Sequence, residues 1–311
     1  MRYSIALPVD HVDFADEFCT GEAVAEISAA ADRLGYHMVY ATEHPVPERK
    51  WLESGGHHAL DPFVTLGFAA AATQRLRLLT NLIVLSYRSP FITAKAATTL
   101  DRLSAGRLTM GVGAGYLEAE FRALGVDFEA RNQATDEALQ TMKLSWSGDL
   151  HPVSAADGTT TENRSLPLPI QRPHPPIWMG GNSKMAMRRA VEHCQGWMPI
   201  PAPPKMANRV RTASIVSAED LARRLDYLSD YAKQVGRREP LDILFMSLLG
   251  QIAGHNLNPQ QQLDEAAHFA SLGVTDMHAP IAKLGGQDPK TRSEYIERME
   301  VFASEVIAKA D

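Results

Sequence analysis

The sequence predicts a (β/α)8 barrel, with residues 1–311 forming one domain. Three observations carry this expectation. Eight short apolar runs alternate with longer helical patterns, each run followed by a helix or a long loop, which is the rhythm of an α/β barrel. The runs are apolar on both faces, as parallel strands covered by helices must be. The helical stretches are punctuated at both ends by residues that start and stop helices.

The eight runs are residues 4–7, 38–42, 77–84, 107–112, 176–179, 196–199, 241–251 and 276–279. The stretch from Leu76 to Gly115 displays one unit most clearly: an apolar strand, a loop, a helix entered through Ser89-Pro90, and a second strand ending in a glycine-rich turn. Asp61-Pro62, Ser89-Pro90, Asn258-Pro259 and Asp288-Pro289 place a capping side chain before a proline at the first helical position. Ser217 to Asp220 reads as a capping box. Gly35, Gly106, Gly236 and Gly273 follow helical stretches, where a left-handed residue ends a helix. No internal repeat of 20–50 residues is present.

Two segments interrupt the rhythm. Residues 45–60, after the second strand, carry Trp51 and the pair His57-His58. Loops at the C-terminal ends of barrel strands build active sites, so this insertion is expected to be a lid or a substrate wall. Residues 150–175 are rich in Pro, Thr and Ser; they either cover the same mouth or form a solvent-exposed excursion.

Composition narrows the partners. A net charge of -6 argues against nucleic-acid backbone or an anionic membrane surface as the main partner. The 2 cysteines, Cys19 and Cys194, offer neither a disulfide framework nor metal spacing, so a reducing cytoplasm is expected. His57-His58 lacks a third ligand at metal spacing, so no metal site is expected. The first residues form no signal peptide, and no run approaches the roughly 20 apolar residues of a membrane span.

Candidate chemistry collects at strand ends. Glu43-His44 follows the second strand, where a histidine can exchange protons near neutral pH and a neighbouring acid can hold its tautomer; both can equally cap loop backbone. Asn81 lies inside an apolar strand, which points to a bulge facing a flat ligand or to a core amide bonded to backbone. Gly113, Ala114 and Gly115 follow the fourth strand, but Tyr116 stands where a dinucleotide fingerprint needs its last glycine, so that fingerprint is rejected. These glycines either admit a ligand or a neighbouring strand. Gly180, Gly181, Asn182 and Ser183 join a strand to a helix beginning near Lys184, an arrangement suited to a phosphate. Arg102 and Arg107 are expected to form structural ion pairs.

These segments in combination resemble the luciferase-like flavin and deazaflavin oxidoreductases. The resemblance rests on strand-end His44, the strand from Thr80 to Leu85, the run Leu100-Asp-Arg-Leu-Ser-Ala-Gly-Arg-Leu-Thr-Met-Gly-Val-Gly-Ala-Gly115, and Pro175 to Ser183. It covers about residues 1 to 200 well and the last third loosely. It implies a (β/α)8 barrel, usually dimeric, with the cofactor ring at the C-terminal mouth and its phosphate near the helix after the fifth barrel strand. It also implies a bulge with a non-prolyl cis peptide at Asn81–Leu82.

Within the family the Glu43-His44 pair resembles the branch using coenzyme F420, an 8-hydroxy-5-deazaflavin. The implied activity is hydride transfer between F420 and a small organic substrate, with His44 and Glu43 catalytic. Asn81, Leu82, Gly113, Ala114 and Gly115 would then lie at the ring, and Gly180, Gly181, Asn182 and Ser183 at the phosphate. Ala114 stands where deazaflavin sugar-phosphate dehydrogenases carry a glutamate acid, which argues against that substrate. The alternatives are an FMN-dependent monooxygenase fed by a separate flavin reductase and a non-catalytic cofactor-binding barrel.

Overall fold

The computed structural model describes residues 1–154, 157–249, 258–284 and 287–310. Its strands are β1 (Arg2–Ala6), β2 (Met38–Ala41), β3 (Arg77–Val84), β4 (Leu108–Gly113), β5 (His151–Ser154), β6 (Thr160–Asn163), β7 (Ile177–Gly180), β8 (Gly196–Met198), β9 (Asp242–Met246) and β10 (Asp276–His278). All but β5 and β6 close into a parallel barrel in the order β1-β10-β9-β8-β7-β4-β3-β2. All eight expected strands are present. The run 241–251 is longer than β9, and its last two residues lie outside the described ones. β5 and β6 pair only with each other, as an antiparallel hairpin within the 150–175 insertion. That hairpin was not expected, because its exposed, Thr-rich strands lack an apolar face.

A helix follows each barrel strand: α1 (Gly21–Leu34), α2 (Pro62–Ala72), α3 (Pro90–Leu103), α4 (Arg131–Ser147), α5 (Lys184–His193), α6 (Ala218–Gln234), α7 (Pro259–Leu272) and α8 (Arg292–Glu305). Most of the expected punctuation is found. Asp61 accepts from the Val64 amide, Asn258 from Gln260 and Ser217 from Asp220. Ser89 makes no side-chain cap bond; Pro90 alone sets that helix start. The last helix is capped by Thr291, three residues beyond the expected Asp288-Pro289 start. Gly35 and Gly273 end their helices at φ 83° and 101°, a region costly for other residues.

Burial explains why short runs suffice for strands. Every residue of β2, β4, β7 and β8 is buried, since helices cover the outside and side chains fill the inside. Each large apolar side chain moved into such a site contributes about 1.5–3 kcal/mol. A separate cluster of Met38, Tyr40, Leu79, Trp178, Met198 and Leu244 fills the barrel interior, with Ala6 and Leu82 against it.

The N-terminal end of the barrel is closed by charge. Asp276, fully buried, accepts from Arg2 at 2.6 Å and Thr275 at 2.8 Å, and meets His37 Nδ1 at 2.7 Å. Among the described residues Arg102 and Arg107 form no ion pair, contrary to expectation. Arg102 donates to the Leu168 carbonyl, and Arg107 to Ser104, Leu76 and Ala70 carbonyls and the Thr73 hydroxyl. A guanidinium can satisfy several turn carbonyls at once, which the sequence pattern does not distinguish from pairing with acids.

Candidate active site

The C-terminal mouth is built by loops. β2 runs directly into Thr42, Glu43 and His44. Glu43 is buried, and its carboxylate accepts from the Val84 amide at 2.7 Å and pairs with Arg88. It ties the exit of β2 to the end of β3, so of the two roles expected for it the structure shows the backbone contact and not a bond to His44. The acid beside the histidine is Glu120, in the short helix Glu118–Ala123 after β4. Its Oε2 lies 3.1 Å from His44 Nδ1 and accepts from the Tyr87 hydroxyl at 2.9 Å, while Oε1 accepts from the Val46 amide at 3.2 Å. Glu120 was missed because it lies in a mixed Glu-Ala-Glu pattern typical of a solvated helix; its complete burial is set by tertiary contacts.

The 45–60 insertion wraps the His44 ring. Trp51, buried in the short helix Arg49–Glu53, faces it at 4.4 Å between centroids, and His57 meets it edge-on at 4.9 Å. Tyr116 stands 6.3 Å away. Burial and the neighbouring His44 push His57 below the usual imidazole range, while Thr42 Oγ1 lies 3.3 Å from its Nε2. The insertion is therefore a wall around His44, as its position predicts. It is also strapped down. Arg209, in the short helix Pro204–Arg209 after β8, bonds the Ser54 carbonyl and hydroxyl. β2 and β8 lie four strands apart in a ring of eight, so this contact reaches across the mouth. Arg211 of the same segment pairs with Glu118 at 3.0 Å.

β3 carries the expected irregularity. Thr80 pairs with Met110 and Ile83 with Val112, so three steps on β3 match two on β4. The extra residue falls at Asn81–Leu82, whose peptide bond is cis. Leu82 explains two of the candidate glycines. A methyl group on Gly113 would lie 2.9 Å from Leu82 Cδ1, and one on Gly180 would lie 2.3 Å from Leu82 Cδ2. Gly115, at φ 79°, makes room likewise for Val84 and Phe121. These glycines admit neighbouring side chains; Ala114 between Gly113 and Gly115 is half-buried.

The candidate phosphate turn divides. Asn182 is fully buried, and its side chain is consumed: Nδ2 donates to the Ile200 and Ala213 carbonyls, both at 2.8 Å, and Oδ1 accepts from the Ile200 amide. It clips two loops together instead of facing a ligand. Ser183 caps α5 by accepting from the Ala186 amide. A methyl group on Gly181, at φ 103°, would have only the Ala186 Cβ within 4 Å, at 3.6 Å, while the glycine's own N–H donates to the Met198 carbonyl and its carbonyl accepts from Trp197 Nε1.

A flat ring with a phosphate fits these residues. The interior beneath the mouth is apolar through Leu82, Met198 and Trp178, yet Trp178 Nε1 and His278 Nδ1 are buried without a partner among the described residues. Burial pushes His278 down to about 4, so the ring is neutral. His44 and Ser183 follow strands three places apart on the rim, about 14 Å at ordinary strand spacing. Among the described residues no group of three or more His, Cys, Asp or Glu side chains is placed to hold a metal ion, and no helix is long and apolar enough to cross a membrane.

Residues 1–274 match the luciferase-like monooxygenase family, and the chain belongs to it. Two of its relatives carry different chemistries in their names. It is 28% identical over 214 residues to 4-hydroxyprotoasukamycin monooxygenase of Streptomyces nodosus subsp. asukaensis, spanning 68% of this chain and 54% of that protein. It is 32% identical over 196 residues to a putative coenzyme F420-dependent oxidoreductase of Mycobacterium tuberculosis, spanning 59% and 52%. The chain thus spans about half the length of each. Among solved structures, a monooxygenase of Streptomyces bottropensis superposes at TM-score 0.77 with 20% identity over all of both chains. The oxygenating constituent of 3,6-diketocamphane monooxygenase of Pseudomonas putida, in complex with FMN, superposes at 0.73 with 14% identity over 99% and 98%. These structural likenesses, at 20% identity or less, establish the barrel fold.

Proposed function

We propose that this protein is an F420-dependent oxidoreductase that moves a hydride between the deazaflavin and a small organic substrate. The observation that carries the reading is His44 at the mouth, tied through Nδ1 to the buried carboxylate of Glu120 and so presenting Nε2 for proton exchange. The likeness to a putative F420-dependent oxidoreductase supports it. When bound, the deazaflavin supplies the hydride chemistry. The chain's own residues do the rest. Asn81, Leu82 and the Gly113–Gly115 backbone would lie along the ring, and Gly181 and Ser183 at the start of α5 would take the phosphate. His44 would hold or accept the proton of the substrate oxygen while Trp51, His57 and Tyr116 shape the pocket and exclude water. Glu43 would act by fixing the backbone around Val84, not by touching substrate.

The second reading, an FMN-dependent monooxygenase served by a flavin reductase, is favoured by the likeness to 4-hydroxyprotoasukamycin monooxygenase. In either case a homodimer is proposed. The adjoining helices α2 and α3 leave Val64, Phe68 and Ile92 at 64%, 52% and 64% exposure, an apolar face that a second copy would bury. Side-by-side fluorescence titrations with F420 and FMN test the choice. Tight F420 binding with weak FMN binding is expected; the reverse overturns the reading.

A further inference from the structure

Acids near His44 in sequence, or near the residues around it, include three that have other partners. Glu43 is spent on the Val84 amide and Arg88. Glu118 pairs with Arg211 and Arg122. Asp10 pairs with His11 at 3.9 Å. Among the acids of the described residues, Glu120 is the one bonded to the His44 ring.

We infer that Glu120, held in place by Tyr87 and the Val46 amide, is the positioning residue that keeps the His44 proton on Nδ1 and its Nε2 lone pair toward the mouth. The argument runs through hydrogen counting. The Val46 amide can only donate. The Tyr87 hydroxyl is buried beside Glu120, and both burial and that carboxylate push its ionisation up, so it keeps its proton and donates as well. A site supplying two donors to a fully buried side chain suits a carboxylate, which has only acceptors to offer. The His44 nitrogen 3.1 Å from Oε2 must then be the one bearing hydrogen. Neutral imidazole in water prefers the opposite arrangement, so the bias is imposed by the protein.

Three loops converge to impose it. Val46 lies in the loop after β2, Tyr87 in the turn after β3 and Glu120 in the helix after β4. The ring itself cannot swing freely, because Trp51 lies against its face and His57 against its edge. At metal-bound histidines, removing the partner of the second ring nitrogen costs about 10–100-fold in metal affinity or activity, which sets the scale for this contact. The catalytic consequence rests on the proposed oxidoreductase function; the tautomer itself does not.

The experiment uses the full chain with ring-labelled histidine and reads two-bond nitrogen–proton NMR correlations, which separate the two neutral tautomers. Wild-type His44 is expected in the Nδ1–H form, and H44N identifies its signal by loss. E120Q, whose amide can donate, is expected to raise the Nε2–H fraction. Y87F, which leaves Glu120 bonded to both Val46 and His44, is expected to retain the wild-type form. Wild-type His44 in the Nε2–H form overturns the inference without any variant needing to fold. An unchanged tautomer in folded E120Q overturns it as well. The readout needs neither cofactor nor substrate, so it stands or falls separately from the choice of F420. With turnover in hand, E120Q is expected to lower kcat at least about tenfold with KM little changed; equal turnover would contradict the catalytic consequence.

Discussion

Each end of the barrel centres on a buried carboxylate bonded to a histidine, and the two pairs do opposite jobs. At the N-terminal end Asp276 meets His37 at 2.7 Å and also holds Arg2 and Thr275. His37 there is locked into the sheet, its amide donating to Tyr3 and its carbonyl accepting from Arg77. At the C-terminal end Glu120 meets His44 at 3.1 Å, His44 in the loop after β2 and Glu120 in the short helix after β4. Aromatic walls surround that ring, and the Arg209–Ser54 strap passes over the mouth. A histidine–carboxylate pair is therefore not a site by itself. The surroundings differ: one pair is set among strands, while the other, on the proposed function, would handle protons.

The comparison can be broken by removing each histidine pair in turn. His44→Ala should leave cofactor affinity and melting temperature nearly unchanged while lowering turnover about 10²–10⁴-fold, the range for a lost acid–base group; steady-state kinetics beside thermal melts would read both. Asp276→Asn should do the reverse. Losing the charged acceptor for Arg2 should cost about 3 kcal/mol in a denaturant melt, with activity per folded molecule preserved.

Acid sharpens the contrast between the ends. Burial holds His278 at about 4, below its ordinary value of 6.5. The neutral ring is the stable one, so its contribution is fully present above about pH 6.5 and is lost as pH falls from there toward 4. The expected loss is about 3 kcal/mol, and His278→Gln should flatten that part of the stability profile. The smallest effect should come from Gly180→Ala. Its methyl group would lie 2.3 Å from Leu82 Cδ2, costing about 1–2 kcal/mol and shifting Leu82 where the cofactor ring would lie. A variant as stable as the parent, with unchanged cofactor spectra, would mean that Leu82 moves aside freely.

Much of this was legible in sequence because barrel strands and helix caps write locally. The runs containing β2, β4 and β7 are apolar on both faces, and Asp61, Ser217 and Asn258 stand beside the helices that they cap. The position of His44 followed from strand order alone. Its partner did not, since Glu120 and His44 are 76 residues apart and meet only when adjacent loops fold together. Glu43, next in sequence to His44, points to Val84 and Arg88 instead. Asn182 misled for a related reason: a polar residue at a glycine turn can face a ligand or clip two loops, and only the tertiary structure shows that its amide is spent. The β5–β6 hairpin carried no apolar alternation to announce it.

The most direct test of the central claim is anaerobic single-turnover mixing of the protein with reduced F420 and a panel of enones and ketones, following the absorbance of the oxidised deazaflavin. Oxygen-independent oxidation of the cofactor with matching reduction of one substrate, lost in His44→Ala while F420 still binds, is the predicted result. Turnover that requires FMN and oxygen, with F420 inert, would contradict it.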